Sequence, residues 1–455
     1  MAADDIRPVK AFGRRDMPQA ADVAKSAPSL RPLVLVQPDQ MTSELRVRAL
    51  REIDPAAAAD LSLSQLRRQL EQIIHDIANE ERYELTAREQ TRLAEELAQD
   101  MMGYGPIEPL LRDDEVTDIM VNAPDSVYVE RHGKIELTDV QFRDNEHIAA
   151  LAQKIVARVG RRVDEASPMV DARLHDGSRV NVIFPPLAID SPCISIRKFS
   201  RQRLGLTEMV ENGTMTTGVG RLLGIAARAR LNVIISGGTG SGKTMLLNAM
   251  SFMIDAGERI ISIEDAAELQ LRQRHVIRLE TRPANLEGTG QITQRELMAN
   301  ALRMRPDRII IGEVRGPEAF DMLQAMNTGH DGSMCTVHAN TTRDALTRVE
   351  NMVQMGSFQL PVRAIRQQIV GAVDLIAHVE RMHDGQRRLT QISEVCNLEG
   401  DVITMNDVVV FEFEREDPQG RVVGHYRASH SRPAFVPRLE FFGLGRAWAA
   451  AIGEV

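Results

Sequence analysis

An eight-residue segment near the middle of the chain has the composition of a phosphate-binding loop. It satisfies the pattern G-x-x-x-x-G-K-[ST] and follows an apolar run that begins at Leu231. Its residues, in order, are Gly237, Gly238, Thr239, Gly240, Ser241, Gly242, Lys243 and Thr244. A buried strand that ends in a glycine-rich turn and enters a helix points several backbone N–H groups at one spot, where a polyphosphate fits. The segment therefore predicts a nucleotide-binding site.

The residue types in this loop divide the work of holding a nucleotide. The glycines permit a backbone path and a close approach to phosphate oxygens that a Cβ would block. Lys243 supplies positive charge for the β and γ phosphates, and the Thr244 hydroxyl is the expected ligand of Mg²⁺. The loop thus predicts binding of a nucleotide together with Mg²⁺.

Hydrolysis also needs a carboxylate that positions or deprotonates water. Two acids end apolar strands after the loop: Glu264, which follows Ile260 to Ile263, and Glu313, which follows Arg308 to Gly312. Such strand ends lie at the edge of an open sheet where ligands bind. Gly312 stands where aspartate is usual in a Walker B motif, so we expect Glu313 to act on the metal through a bound water. The residues leave open which acid is the general base; we assign that role to Glu264 and place Glu313 on the metal side.

Two histidines flank a further expected strand. His330 and His338 are eight residues apart, on either side of Ser333 to Val337. This is poor spacing for a zinc site, because no Cys or carboxylate accompanies the pair. We expect His338 to couple the phosphate site to motion through hydrogen bonds to the neighbouring loop.

Two arginines upstream of the loop share the polar faces of strands. In the segment Cys193 to Lys198, alternation places Ser195 and Arg197 opposite the apolar Ile194 and Ile196. Arg179 lies in the same way on an earlier strand. These arginines could reach a nucleotide held by the next domain, or they could line an ordinary solvated sheet face.

The rest of the chain indicates an α/β protein of several domains. From about residue 221, strands and helices alternate, which is typical of a parallel sheet with crossover helices. The expected divisions are a disordered region at 1–60, a helical segment at 61–102, an α+β domain at 103–200, a linker at 201–220, an α/β domain at 221–430 and a tail at 431–455. We expect the aromatic tail to pack onto the preceding domain; docking to a membrane partner is the alternative.

Composition excludes several classes of protein. A net charge of −9 over 455 residues argues against a nucleic-acid coat. The sequence contains no uninterrupted apolar run of the length that a membrane span needs and no signal peptide, so we expect a cytoplasmic protein. The three cysteines are far apart, which favours free thiols over a disulfide framework or a zinc ribbon.

Taken together, the motifs resemble those of the type II/type IV secretion ATPases, and more narrowly the CpaF-type ATPases of tight-adherence (Flp) pilus systems. The similarity covers about residues 62 to 415. It is carried by segments that look like the Walker A, Asp box, Walker B and His box motifs, and by three segments upstream: Gly237 to Thr244, Ile263 to Asp265, Ile311 to Gly316, Thr328 to Asn340, Gly103 to Leu111, Asp171 to Arg179 and Ile194 to Lys198.

The resemblance implies more than the residues alone. It implies a homohexamer with a PAS-like N-terminal domain, a RecA-like C-terminal P-loop ATPase domain and ATP bound between them. Arg179 and Arg197 would then close on the phosphates, and Gly312 would be the rule at its position. Its implied partners are inner-membrane pilus platform proteins, which would hold the ring at the cytoplasmic face of the inner membrane. Weaker candidates for contacts at this or a neighbouring subunit's site are Arg303, Arg305 and Arg315.

Three other functions use a similar loop. A small-molecule kinase would need an acceptor pocket and an arginine-rich lid, where this sequence has the His-flanked segment. A regulator without turnover is disfavoured by the combination of Lys243, Glu264 and Glu313. A GTPase is disfavoured because no N-K-x-D motif occurs.

Overall fold

The computed structural model describes residues 38–53, 61–131, 133–199, 204–284, 288–356 and 360–455. By contacts, the chain divides into two units, Met1–Ala98 and Gln99–Val455. In the described part of the chain, no helix is both long enough and apolar enough to span a bilayer.

The described part of the first unit is helical. Its helices are α1 (Pro38–Glu52), α2 (Leu63–Glu81) and most of α3 (Ala87–Met102), whose last four residues belong to the second unit. Helix α2 begins with a capping box, in which Ser62 and Gln65 bond each other's backbone N–H groups. Residues 1–37 and 54–60 of the expected disordered region lie outside the described residues, whereas the segment 38–52 forms α1, with Leu45 and Ala49 buried.

The second unit opens with a six-stranded antiparallel sheet. Its strands are β1 (Val116–Ala123), β2 (Ser126–Arg131), β3 (Lys134–Leu137), β4 (Met169–Arg173), β5 (Arg179–Ile183) and β6 (Cys193–Arg197), and its helices are α4 (Glu108–Arg112) and α5 (Asn145–Ala157). The strand order is β3-β2-β1-β6-β5-β4. Ile148, Leu151 and Ile155 of α5 pack on the apolar face of the sheet. The opposite face carries the polar side chains that alternate with this core.

A nine-stranded mixed sheet forms the rest of the unit. Its strands are β7 (Val233–Gly237), β8 (Ile260–Glu264), β9 (Val276–Glu280), β10 (Arg308–Ile311), β11 (Met334–His338), β12 (Leu375–Arg381), β13 (Arg387–Glu399), β14 (Val402–Glu416) and β15 (Val422–Ala428). The order is β15-β14-β13-β12-β7-β11-β10-β8-β9. Strands β12 to β9 in this order are parallel, while β13, β14 and β15 continue the sheet in antiparallel fashion. The fold is therefore α/β, as expected, with an antiparallel extension.

Helices cover both faces of this sheet. They are α6 (Leu206–Glu211), α7 (Thr217–Arg228), α8 (Lys243–Ser251), α9 (Gln294–Ala301), α10 (Glu318–Asn327), α11 (Thr342–Gln354), α12 (Val362–Ala372), α13 (Val436–Phe441) and α14 (Gly445–Gly453). The parallel strands read as continuous apolar runs because both of their faces are buried. Val233 and Ile235 face the core beneath α7 and α8, and Ile234 faces the core beneath α10, α11 and α12.

The segment expected as a linker and the C-terminal tail both pack onto the nine-stranded sheet, the tail as expected. Within 201–220, α6 and the start of α7 pack onto the nine-stranded sheet, with Met209, Met215 and Val219 buried. The tail folds into α13 and α14, and its Phe435 and Trp448 join the same core at 5.2 Å between ring centroids.

A buried ion pair fixes the entry to strand β10. The Arg308 side chain is fully buried and donates to both carboxylate oxygens of Glu258, at 2.6 and 2.8 Å. It also donates to the Ala227 carbonyl at 2.7 Å. Removing one partner of such a pair leaves a buried charge without its counterpart.

We expect Arg308→Met to lower the free energy of unfolding by about 3 kcal/mol or more. The apparent melting temperature should fall by roughly 6 °C or more, as read by circular dichroism. The matched control is Arg432→Met, which removes an exposed ion pair to Glu440 and should shift the melting temperature by less than about 2 °C. Equal shifts for the two variants would contradict a stabilising role for the buried pair.

Candidate active site

The phosphate loop lies between β7 and α8, at the carboxyl edge of the parallel strands. At Gly237 a Cβ would lie 2.2 Å from the Val379 carbonyl and 2.5 Å from Ser241 Oγ. Gly242, the N-cap of α8, has φ +99°, a conformation that side chains rarely adopt. The close contacts at Gly237 and the positive φ at Gly242 explain why the two positions need glycine.

Lys243 lies in the first turn of α8 with 8% of its surface exposed. Its ammonium donates to the carbonyls of Gly237 at 3.1 Å and Gly238 at 2.8 Å, so it is held over the loop. Burial lowers the pKa of Lys243, and the neighbouring Glu313 carboxylate opposes that shift. A cation held in this way is placed to meet an anion bound by the loop's N–H groups.

The strand order decides which side chains neighbour the loop. Strand β11 lies directly beside β7, with His338 opposite Gly237, and β10 and β8 follow in turn. His338, Glu313 and Glu264 therefore stand at successive positions along one edge. Gly312 is fixed there by its N–H bond to Ile263 at 2.9 Å.

A chain of polar contacts runs from the loop along this edge. His338 Nε2 lies 3.4 Å from Lys243 Nζ and 2.9 Å from Glu313 Oε1. Arg315 donates to Glu313 Oε2 at 2.5 Å and lies 3.8 Å from Asp265. Burial and the nearby Lys243 lower the pKa of His338, which favours a neutral imidazole at pH 7. Lys243, His338, Glu313 and Arg315 are thus brought together as one group.

Glu264 stands one strand further along and is 2% exposed. Its Oε2 accepts the backbone N–H groups of Glu268 at 2.6 Å and Leu269 at 2.8 Å. Its Oε1 is buried and has no partner within the described residues. Burial raises the pKa of Glu264, and the two N–H bonds oppose this shift. An acceptor oxygen of this kind is suited to hold a water molecule and take its proton.

There is a steric reason for glycine rather than aspartate at position 312, which comparison with the Walker B motif alone does not supply. A Cβ at this position would lie 3.0 Å from Glu264 Cγ and 3.6 Å from Glu264 Oε2. An aspartate in its place would push the Glu264 side chain away from the strand end. Glycine therefore allows both acids to share this edge.

The donor set fits Mg²⁺ held together with a nucleotide. Within the described residues, no group of three or more His, Cys, Asp or Glu side chains could hold a metal alone. Mg²⁺ is usually bound through one or two carboxylates and the phosphates of a substrate. Glu313, near Lys243, offers such a carboxylate, and the Thr244 hydroxyl in the first turn of α8 offers a further oxygen donor.

The upstream arginines form a row across the six-stranded sheet. Arg173, Arg179 and Arg197 are directly opposite one another on β4, β5 and β6, and Asp118 follows on β1. Arg173 pairs with Glu280 at 3.0 Å, and Arg179 lies 3.2 Å from Glu268. Arg173 therefore contacts strand β9 of the nine-stranded sheet, and Arg179 contacts the loop that follows Glu264.

Arg197 differs from its two neighbours in the row. Within the described residues no carboxylate pairs with it, and its side chain is exposed. It lies close enough to Lys243 and Arg387 to lower the pKa of both. Like charges placed directly opposite in a sheet are unfavourable unless an anion joins them. Of the two arginines singled out in the sequence, Arg197 is thus nearer the phosphate loop and Arg179 nearer the loop after β8.

Sequence reasoning missed two further groups at the site. Buried His378 on β12 bonds the Ser236 hydroxyl at 2.8 Å, one residue before the loop. Arg387 on β13 donates to the Gly240 carbonyl at 3.0 Å, and Arg381 on β12 lies beside it. The only sequence signal was a cluster of basic residues around the turn at 382–386.

Comparison with known proteins finds relatives among secretion and conjugal transfer proteins. A family model described as type II/IV secretion system protein matches residues 100–413. A putative conjugal transfer protein of Mycobacterium tuberculosis is 39% identical over 312 residues, which cover 67% of this chain and 88% of that protein. The type IV secretion system protein VirB11 of Brucella suis is 31% identical over 318 residues, covering 64% of this chain and 88% of VirB11.

Among solved structures, the pilus retraction motor PilT with bound ADP is 18% identical, with a TM-score of 0.48 over 76% of this chain and 88% of PilT. The family model spans well over half of the chain and includes the phosphate loop, both acidic strand ends and the arginine row. The chain therefore belongs to the type II/IV secretion system ATPase family.

Proposed function

We propose that this protein is a hexameric ATP-hydrolysing motor that powers the assembly of a tight-adherence (Flp) pilus or a related secretion machine. The observation that carries the proposal is that charged groups from two domains lie close together beside the phosphate loop. Lys243, His338 and Glu313 stand at one sheet edge, and Arg197 of the preceding domain, which has no carboxylate partner among the described residues, lies close enough to Lys243 to lower its pKa. Family membership supports the same class of function.

In the proposed reaction the chain's own groups have separate tasks. The loop N–H groups and Lys243 bind the phosphates of ATP, and Thr244 and Glu313 hold Mg²⁺. The metal, when bound, neutralises charge that develops on the phosphate oxygens. Glu264 receives the proton of the attacking water at Oε1, while its Oε2 remains fixed by two backbone N–H groups. His338 joins Lys243 to Glu313, so a change at the phosphates also acts on strand β11.

Motion follows from the division of the site between two domains. Arg179 and Arg197 belong to the six-stranded domain, which we infer to be PAS-like, and the phosphate loop belongs to the RecA-like domain. Closure of two domains on a shared ligand is ordinary hinge behaviour. In a homohexamer the change in angle passes around the ring to an inner-membrane platform at the cytoplasmic face, which extracts pilin subunits.

We expect Arg197→Ala to leave assembly intact and to slow ATP hydrolysis by at least about tenfold. The physical reason is that this arginine neutralises transferring phosphate charge and has no carboxylate partner in the described part of the chain. The rate of phosphate release is measured for the unaltered protein and the variant in assemblies of the same size. Arg173→Ala is the matched control in the same row, since Glu280 already neutralises Arg173. An unchanged rate for Arg197→Ala would return the residue to the role of a solvated sheet side chain.

Electron micrographs of the purified protein test the ring directly. With a nonhydrolysable ATP analogue we expect six-membered rings. The angle between the two domains of each subunit should differ between the nucleotide-free and the nucleotide-bound forms. Monomers alone at micromolar protein concentration with the analogue present would contradict the motor proposal.

A further inference from the structure

A hairpin formed by β12 and β13, on the side of β7 opposite to β11, reaches the phosphate loop. Strand β12 ends at Arg381, strand β13 begins at Arg387, and the two residues are directly opposite each other in the antiparallel register. Two like charges in such a position are unfavourable. The arrangement therefore calls for a compensating anion or a close carbonyl.

Among the described residues, Arg387 bonds a carbonyl and a sulfur but no carboxylate. Its Nε donates to the Gly240 carbonyl at 3.0 Å, and its Nη1 contacts Met245 Sδ at 3.3 Å. Among the described residues, no carboxylate oxygen lies within 4.0 Å of its guanidinium. Burial, Arg381 and Arg197 lower its pKa, and Glu130 opposes them. The guanidinium is half-buried and lies near two other cations. A bound anion would offset both the desolvation cost and the repulsion, so the group is suited to bind an anion.

The position of Arg387 complements the other charged groups. His338 and Glu313 approach the loop from β11 and β10, on one side of β7, whereas Arg387 approaches from β12 and β13, on the other side. Its Cδ lies 3.2 Å from the position of a Cβ at Gly242, the residue before Lys243. Gly242 thus makes room for Arg387 beside the start of α8.

Arg381 is held differently, by the six-stranded domain. Its Nη2 donates to the Gly133 carbonyl at 2.8 Å, and its Nη1 lies 3.9 Å from Glu130. Both contacts belong to the hairpin of β2 and β3. Arg381 therefore keeps the tip of the β12–β13 hairpin against the preceding domain.

We propose that Arg387 is a further phosphate-binding residue of the nucleotide site and that Arg381 is a positioning residue that holds it beside the loop. A guanidinium presents paired N–H donors that match phosphate oxygens. Exchange of the Gly240 carbonyl for a phosphate oxygen would replace a neutral acceptor by a charged one. The inference rests on the proposed nucleotide site and adds a ligand to it from a strand that follows the loop by more than 140 residues.

The test is calorimetric binding of ADP and of a nonhydrolysable ATP analogue to the full chain at fixed salt. For Arg387→Gln we expect the Kd for both nucleotides to rise at least about tenfold, with an unchanged melting temperature in the absence of nucleotide. Arg387→Lys, which keeps the charge, should recover most of the affinity. The matched control is Arg388→Gln, the next residue, whose guanidinium contacts Asp384 and the Phe411 ring instead.

The outcomes separate this inference from the proposed function. If the unaltered protein binds neither nucleotide, the proposed function itself fails. If it binds both and Arg387→Gln binds them with the same Kd, only the assignment of Arg387 is overturned. A third outcome is that Arg387→Gln binds nucleotide more weakly and also has a lowered melting temperature, while Arg387→Lys does not recover the affinity. This result would show a packing role and would also overturn the assignment.

Discussion

Replacement of Lys243 by alanine is expected to abolish measurable ATP turnover, a loss of at least about 10²-fold. The ammonium is nearly buried and is held by two loop carbonyls, so it is aligned before any ligand arrives. Such a group stabilises charge in the transition state without reorganisation. Its loss also leaves His338 without a cationic neighbour at 3.4 Å. Steady-state phosphate release is the measurement.

The control for this change is Lys134→Ala, which removes an exposed lysine on β3. It should leave both turnover and melting temperature unchanged. Because Lys243 is desolvated, its removal should not destabilise the apo protein by more than about 1 kcal/mol. Turnover by Lys243→Ala within threefold of the unaltered protein would refute the assignment of the loop as the catalytic phosphate site.

The second large effect is expected for Glu264→Gln, which should bind ATP with nearly unchanged affinity and fail to hydrolyse it. Glutamine keeps an oxygen to accept the N–H groups of Glu268 and Leu269, so the loop after β8 retains its path. It cannot take a proton from water at neutral pH. We expect a loss of about 10² to 10⁴ in kcat, the range for general-base catalysis. Single-turnover hydrolysis and nucleotide binding, measured on the same sample, separate the two effects.

The pH profile gives the same prediction an independent readout. The base must be deprotonated, so the rate should fall as the pH drops through the pKa of Glu264. Because burial raises this pKa above its usual value of 4.5, the acid limb of kcat/KM should lie above pH 4.5. Glu296→Gln is the control, since its carboxylate caps α9, a task that glutamine also performs. Normal turnover by Glu264→Gln would assign the base to another residue, with Glu313 the first to test.

The phosphate loop could be predicted because all of its determinants are local. An apolar strand, a glycine-rich turn and a helix occur in one stretch, and chain sterics bring Gly237 and Lys243 together. Alternation likewise placed Arg179 and Arg197 on one sheet face. What alternation could not give was the register that sets them directly opposite each other and leaves only Arg197 near Lys243.

Arg387 could not be predicted for the corresponding reason. Its contact with Gly240 joins residues 147 positions apart, and it depends on β12 pairing with β7 rather than on any local pattern. The segment at 201–220 shows a related effect. Its apolar residues are too sparse for a clear helical period, yet Met209 and Met215 are buried because the sheet offers them a surface. Tertiary packing decided both cases.

The central expectation is that the assembled protein hydrolyses ATP without any acceptor. The measurement is steady-state release of inorganic phosphate from ATP and Mg²⁺ by purified rings, with ADP quantified in parallel. We predict equal amounts of phosphate and ADP, and no turnover in Lys243→Ala or Glu264→Gln. Rings that bind ATP but release no phosphate, or that release ADP only when a small-molecule acceptor is added, would contradict the motor.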